Sequence, residues 1–223
     1  MKRFILLLVL VLAACAPKVA QPIAGNVLPT ATAYIDPSYP TVQVAIAAPN
    51  QTTGGIEIRM DRAWRDGKDV NANVCFTLPD SSDWSIWSAS LLYPGASLTD
   101  FSSTMLSLQE PVEGQAGIRC DTISFQNIPP DADLSNVSVT IDSIAAQPRS
   151  EEYCSIYMPK IQQSLNERGI AITLDCLQIN DGLSMQIVGK PDSMTQEEAE
   201  QLVYSDEFFT KKGPWSFTFN LGQ

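Results

Sequence analysis

Histidine is absent from all 223 residues of the chain. Its absence removes the usual general base at neutral pH and the commonest neutral metal ligand, and weighs against a Ser-His-Asp hydrolase or a zinc enzyme. Basic residues are scarce, with 14 Lys and Arg against 25 Asp and Glu and a net charge of −11. Such a surface repels nucleic acid and anionic lipid headgroups, so no nucleic-acid partner is expected. No two cysteines are spaced as a C-x-x-C knuckle, which argues against a thiolate metal site. The chain also lacks a cofactor fingerprint or catalytic motif, and neither cofactor nor metal is expected. Long apolar runs are missing except for nine residues, Phe4 to Leu12. That is too short for a bilayer-spanning helix, which needs about 20 residues.

What is present begins at the N-terminus. Lys2 and Arg3 precede the apolar run, and Leu12-Ala13-Ala14-Cys15 places small residues before a cysteine. This is the layout of a secretory signal with its cleavage site. All four positions resemble the lipobox of bacterial lipoproteins. The resemblance implies that residues 1–14 are removed and that Cys15 carries a diacylglycerol thioether, with its amino group usually acylated as well. More than one acyl chain is enough for stable anchoring. Loss of Lys2 and Arg3 would take the charge from −11 to −13, so membrane contact would be made by lipid and not by a protein face. The implied address is extracytoplasmic, on a bacterial membrane.

Residues 15–40 carry five prolines among small and polar residues, the composition of a stiff extended tether. Tyr34, Ile35 and Tyr39 are its candidate contacts with the folded body. From Thr41 the apolar residues recur with period two, the signature of strands with one buried face. Val42/Val44/Ile46, Ile56/Ile58/Met60 and Val70/Ala72/Val74/Phe76/Leu78 follow it, with a hairpin turn at Asp66-Gly67 between the last two. In the next strand Trp87, Ala89, Leu91 and Tyr93 share one face. Trp84 and Ile86 fall on the other, as an exposed interaction patch or as the surface that receives residues 146–212. Strands are expected at 105–109, 118–126 and 137–144, then a helix from Glu151 to Gly169 in which Pro159 marks a first turn or a kink. A hairpin across Asp181-Gly182 and a Thr195-Gln196-Glu197-Glu198 capping box follow. Trp215, Phe217, Phe219 and Leu221 alternate in a last strand whose best-matched neighbour is Val137–Ile144.

The fold expected is mainly β: an immunoglobulin-like antiparallel β-sandwich with a small α+β insertion or second subdomain. The sandwich comprises 41–145 plus 214–221, and 146–212 forms a helix–hairpin–helix insertion. Two consecutive domains meeting near Gln147–Ser150 are the rival arrangement.

After Cys15 four cysteines remain, and an even number in an exported chain reads as two disulfides with three possible pairings. Cys75 falls on the opposite side of its strand from Val74 and Phe76, which disfavours a bridge between sheets. Cys75–Cys120 tying neighbouring strands under the insertion, with Cys154–Cys176 stapling helix to hairpin, is the favoured set.

Trp64 to Val70 leading into Val74-Cys75-Phe76, with Gly213-Pro214-Trp215-Ser216-Phe217 at the end, resembles immunoglobulin-like extracytoplasmic domains of unknown function from anti-sigma-factor-like envelope proteins. The resemblance covers the sandwich alone and transfers no catalytic residue.

Acidic pairs at Asp66/Asp69, Asp80/Asp83 and Asp131/Asp133 sit where carboxylates bond their own turn backbone. A weak calcium site is the functional alternative there, although none has the twelve-residue loop of an EF-hand. The functional expectation is a non-enzymatic, lipid-anchored binding or structural module of the cell envelope, with a possible envelope-protein partner. A carboxylate-dependent hydrolase and a solute-capture lipoprotein are the alternatives. Carboxylates 5–9.5 Å apart across a cleft would identify the hydrolase, and a deep interlobe cleft the solute-capture protein.

Overall fold

The computed structural model describes residues 43–179 and 182–222. Cys15, the signal segment, the tether, the start of the first strand and Asp181 of the hairpin turn lie outside the described residues. The described chain is built mainly of antiparallel strands. In the first sheet β1 (Gln43–Ala45), β3 (Ile56–Asp66), β4 (Asp69–Thr77), β8 (Ile118–Phe125) and β7 (Ser102–Gln109) lie side by side, and β2 (Asn50–Thr53) also pairs with β3. The second sheet has the order β12 (Thr210–Phe219), β9 (Val137–Ala146), β5 (Trp84–Tyr93) and β6 (Ala96–Leu98). The final strand therefore lies against β9, with Trp215 opposite Ile141 and Phe217 opposite Val139.

One apolar cluster runs through both sheets. Ile58, Val74 and Phe76 from the first meet Leu91, Val139, Ile141, Trp215 and Phe217 from the second. The indole N–H of Trp215 donates to the Ile56 carbonyl at 3.2 Å, satisfying its polar atom inside the core. At the sheet edge Gln51 acts as a substitute strand. Its amide donates to the Ser216 carbonyl and accepts from the Ser216 N–H, so part of the free backbone of β12 is occupied.

Residues 150–209 cover one end of the sandwich. A short helix α1 (Ser150–Glu152) continues through a wide turn of π type (Tyr153–Tyr157) into α2 (Met158–Glu167). Pro159 follows directly on the π turn, whose wider i→i+5 bonding, with the Met158 N–H on the Tyr153 carbonyl, accommodates a residue that has no N–H to donate. Gly169 ends the helix with φ of +69°, a left-handed conformation that glycine adopts without strain. β10 (Thr173–Ile179) and β11 (Gly182–Gly189) form a separate hairpin. The capping box at Thr195 opens α3 (Gln196–Val203), and α4 (Asp206–Phe209) leads into β12. Tyr157, Ile161, Leu165, Ile172, Met185 and Val203 of this segment belong to the same apolar cluster as the sandwich.

Both disulfides are formed. Cys75 and Cys120 are directly opposite in the β4–β8 register and bridged, and Cys154–Cys176 links the π turn to β10. The first bridge makes a small cluster with Ile118 on the outer face of its sheet, separate from the main core.

Strand β8 mixes polar and apolar residues on its inner face. Its inward positions include Arg119 opposite Phe76 and Asp121 opposite Val74. Asp121, fully buried, accepts from Arg119 Nε at 2.8 Å and from the Ser103 hydroxyl at 3.0 Å. Arg119 Nη1 continues to Asp83 at 2.8 Å and to the Trp84 carbonyl at 3.0 Å, clipping the two sheets together. A charge in that position is tolerated because its donors and its carboxylate partner are matched.

Candidate functional site

Trp84 and Ile86 are not a surface patch. Trp84 is 1% exposed and Ile86 is buried, whereas Trp87, expected in the core, is 63% exposed. The cause is a β-bulge. Ile86 pairs with Ile144 and Ser88 with Ser143, leaving Trp87 as an extra residue. The bulge shifts the alternation by one, so Trp84 and Ile86 before it share the inner face with Ala89, Leu91 and Tyr93 after it. Trp84 is core, in one cluster with Tyr157 and Ile161 of the inserted segment, and its indole N–H donates to Asp80 at 2.8 Å.

The same level of the sheet carries matching irregularities on the two neighbouring strands. Ser143 pairs with Ser88 and Ile141 with Ala89, so Asp142 is the extra residue of β9. Along β12, Lys212 pairs with Ser143 and Trp215 with Ile141, leaving Gly213 and Pro214 over the same step. Three adjacent strands are thus displaced together, and the inner face stays continuous while the surplus residues emerge on the outer one. Gly213 is required by the crowding there, because a Cβ would stand 2.6 Å from the Ile141 carbonyl oxygen. Its peptide bond to Pro214 is cis.

These surplus residues form one wall of a groove of about 980 Å³. Trp87, Ser88, Asp142, Lys212 and Pro214 line the sheet side, and Tyr153, Asp206 and Phe209 come from the inserted segment. Ligand sites favour such junctions between structural units, where concave surface arises without breaking a core. Tyr153 and Phe209 belong to an aromatic group, with ring centroids 5.8 Å apart and Phe209 stacked on Tyr157 at 4.8 Å. Burial pushes the Tyr157 phenol above its ordinary value of 10, so it stays protonated and anchors packing beneath the groove. The carboxylates of Asp142 and Asp206 and the ammonium of Lys212 are all exposed. The Ser88 hydroxyl lies 3.5 Å from Asp142.

In two of the acidic turn pairs the first or second carboxylate is held by its own loop and neighbours. Asp80 accepts from the Ser82 N–H, from Trp84 and from Lys160, and Asp133 accepts from the Ser135 N–H. Among the described residues, no three Asp, Glu or Cys side chains converge as a metal site. No described helix is long and apolar enough to cross a membrane.

Period-two reading overlooked Trp87, Asp142 and the Gly213-Pro214 step as one site. The signal for it was a change of parity. Apolar residues move from even to odd numbers between Ile86 and Ala89, and from odd to even between Ile141 and Ile144. No family model, no curated protein and no solved structure matches the chain.

Proposed function

We propose that the chain is matured at Cys15 into a lipid-anchored, extracytoplasmic binding protein that uses the bulge-row groove to hold an envelope component. The observation carrying this reading is the exposed indole of Trp87, placed in a groove by three bulges that sit side by side. An apolar ring of this size normally fills a core, and its exposure beside hydrogen-bonding groups is characteristic of a recognition surface. The lipobox residues and the proline-rich tether support display at a membrane. The two disulfides fit an oxidising compartment outside the cytoplasm.

Two measurements test it. Labelled palmitate should enter the wild-type chain and not a Cys15→Ser variant, which should leave the membrane fraction. Purified protein should bind isolated cell envelopes saturably, and Trp87→Ala should lose that binding while keeping its unfolding midpoint. Equal binding by Trp87→Ala would remove the groove from the function.

A carboxylate-dependent hydrolase is a second reading, favoured by one observation: Asp142 and Asp206 line the same groove from different elements. Release of new reducing ends from an envelope polysaccharide, abolished by Asp142→Asn or Asp206→Asn, would establish it.

A further inference from the structure

Beside the groove, the outer face of the second sheet carries side chains that share a chemistry. Strand register sets Ser90 opposite Thr140 and Thr140 opposite Ser216, with Ser138 opposite Thr218 one step along. With Ser88 these make a field of six hydroxyls over three adjacent strands, a width of about 10 Å from two inter-strand spacings. Thr140 and Ser216 hydrogen-bond to each other at 2.9 Å. A hydroxyl has one donor and two acceptor positions, so both retain capacity toward a ligand. The bulge places Trp87 and Ser88 on this same face, and the indole stands at the end of the hydroxyl field. Leu92, 57% exposed and opposite Ser138, marks the far end.

Charge narrows the ligand. The face carries one carboxylate, Asp142, and one ammonium, Lys212, with Asp206 across the groove, on a chain whose net charge is −11. A polyanion would be repelled by the molecule and meet a single exposed cation here. A polycation would find two carboxylates and a competing lysine. An uncharged chain bearing many hydroxyls, with apolar C–H faces on its rings, meets what the surface offers: paired donors and acceptors, and a flat indole to stack against.

We propose that this face binds an uncharged polysaccharide, with Trp87 stacking on a sugar ring and the Ser/Thr field hydrogen-bonding its hydroxyls. The assignment rests on the groove reading above and names its ligand class. The test uses the full chain in detergent micelles, titrated by calorimetry and tryptophan fluorescence with cellohexaose, chitohexaose and mannohexaose, and with an oligogalacturonate as charged control. Saturable binding of at least one neutral hexaose is expected, with Trp87→Ala weakening it about ten-fold, the size of one lost aromatic contact. A double variant Thr140→Val/Ser216→Ala should weaken it too, with unfolding midpoints near wild type. The proposal is overturned if no neutral hexaose binds, if Trp87→Ala binds equally well, or if the charged control binds tighter. Envelope binding that needs Trp87 yet survives periodate treatment, with no hexaose bound, would assign the groove to a protein partner and leave the groove reading standing. Envelope binding indifferent to Trp87 would remove both.

Discussion

At the scale of single residues, the two tryptophans of β5 separate packing from recognition. Trp84 fills the core and hydrogen-bonds Asp80, while Trp87 stands in the groove three positions later. Truncating a buried aromatic leaves a cavity and costs roughly 3–5 kcal/mol. Trp84→Ala should therefore lower stability by that amount in urea unfolding, whereas Trp87→Ala should stay within about 0.5 kcal/mol of wild type. Sequence alternation assigned the pair the other way round because it assumes one unbroken register. A single surplus residue inverts every face beyond it. Cysteine pairing was more legible. The placement of Cys75 off the core face pointed to a bridge within one sheet, and Cys120 is its direct neighbour in register. Arg119 and Asp121 were not legible as inward-facing, since only the facing Ser103 and Asp83 reveal how their charges are satisfied.

Elements were readable where local chemistry decides them. The Asp66-Gly67 hairpin, the α3 capping box and the Gly169 terminus follow from turn and cap requirements that need no tertiary partner. Strands β2 and the first half of β7 were not, because both lie at sheet edges and have polar, largely exposed sequences without an apolar rhythm. Two predictions belong here. Asp80 ties the loop before β5 to α2 through Lys160 at 2.8 Å. Burial alone would raise its carboxyl, but hydrogen bonds from Lys160, Trp84 and Ser82 outweigh that and hold its pKa below 3.8. A depressed folded pKa contributes stability that is present above the unfolded value and lost as pH falls through the folded one. Unfolding measured across the range below pH 3.8 should show this loss in the wild type, and Asp80→Asn should flatten it. The second concerns the bulge. Deleting Trp87 outright should collapse folding by forcing Trp84 and Ile86 outward, while Trp87→Gly keeps the surplus position and should remain folded by circular dichroism.

Across the whole molecule, the two layers are bound together by one apolar cluster, and two covalent links of different reach each brace a single part. Cys75–Cys120 joins positions 45 apart within the first sheet, and Cys154–Cys176 joins positions 22 apart within the covering segment. By chain entropy the larger loop contributes about 4 kcal/mol and the smaller about 3 kcal/mol. Replacing each pair with serine should give losses in that order by urea unfolding. Hydrogen exchange should show added opening confined to residues 150–209 for the Cys154→Ser/Cys176→Ser variant. The three aligned bulges carry a consequence for how such a chain can change by descent. A gain or loss of one residue in β5, β9 or β12 alone would misalign its neighbours, so the insertions are viable chiefly as a set. Related chains should then either keep all three surplus positions or lack all three. Intermediates would be rare, and the presence of one insertion would serve to foretell the other two.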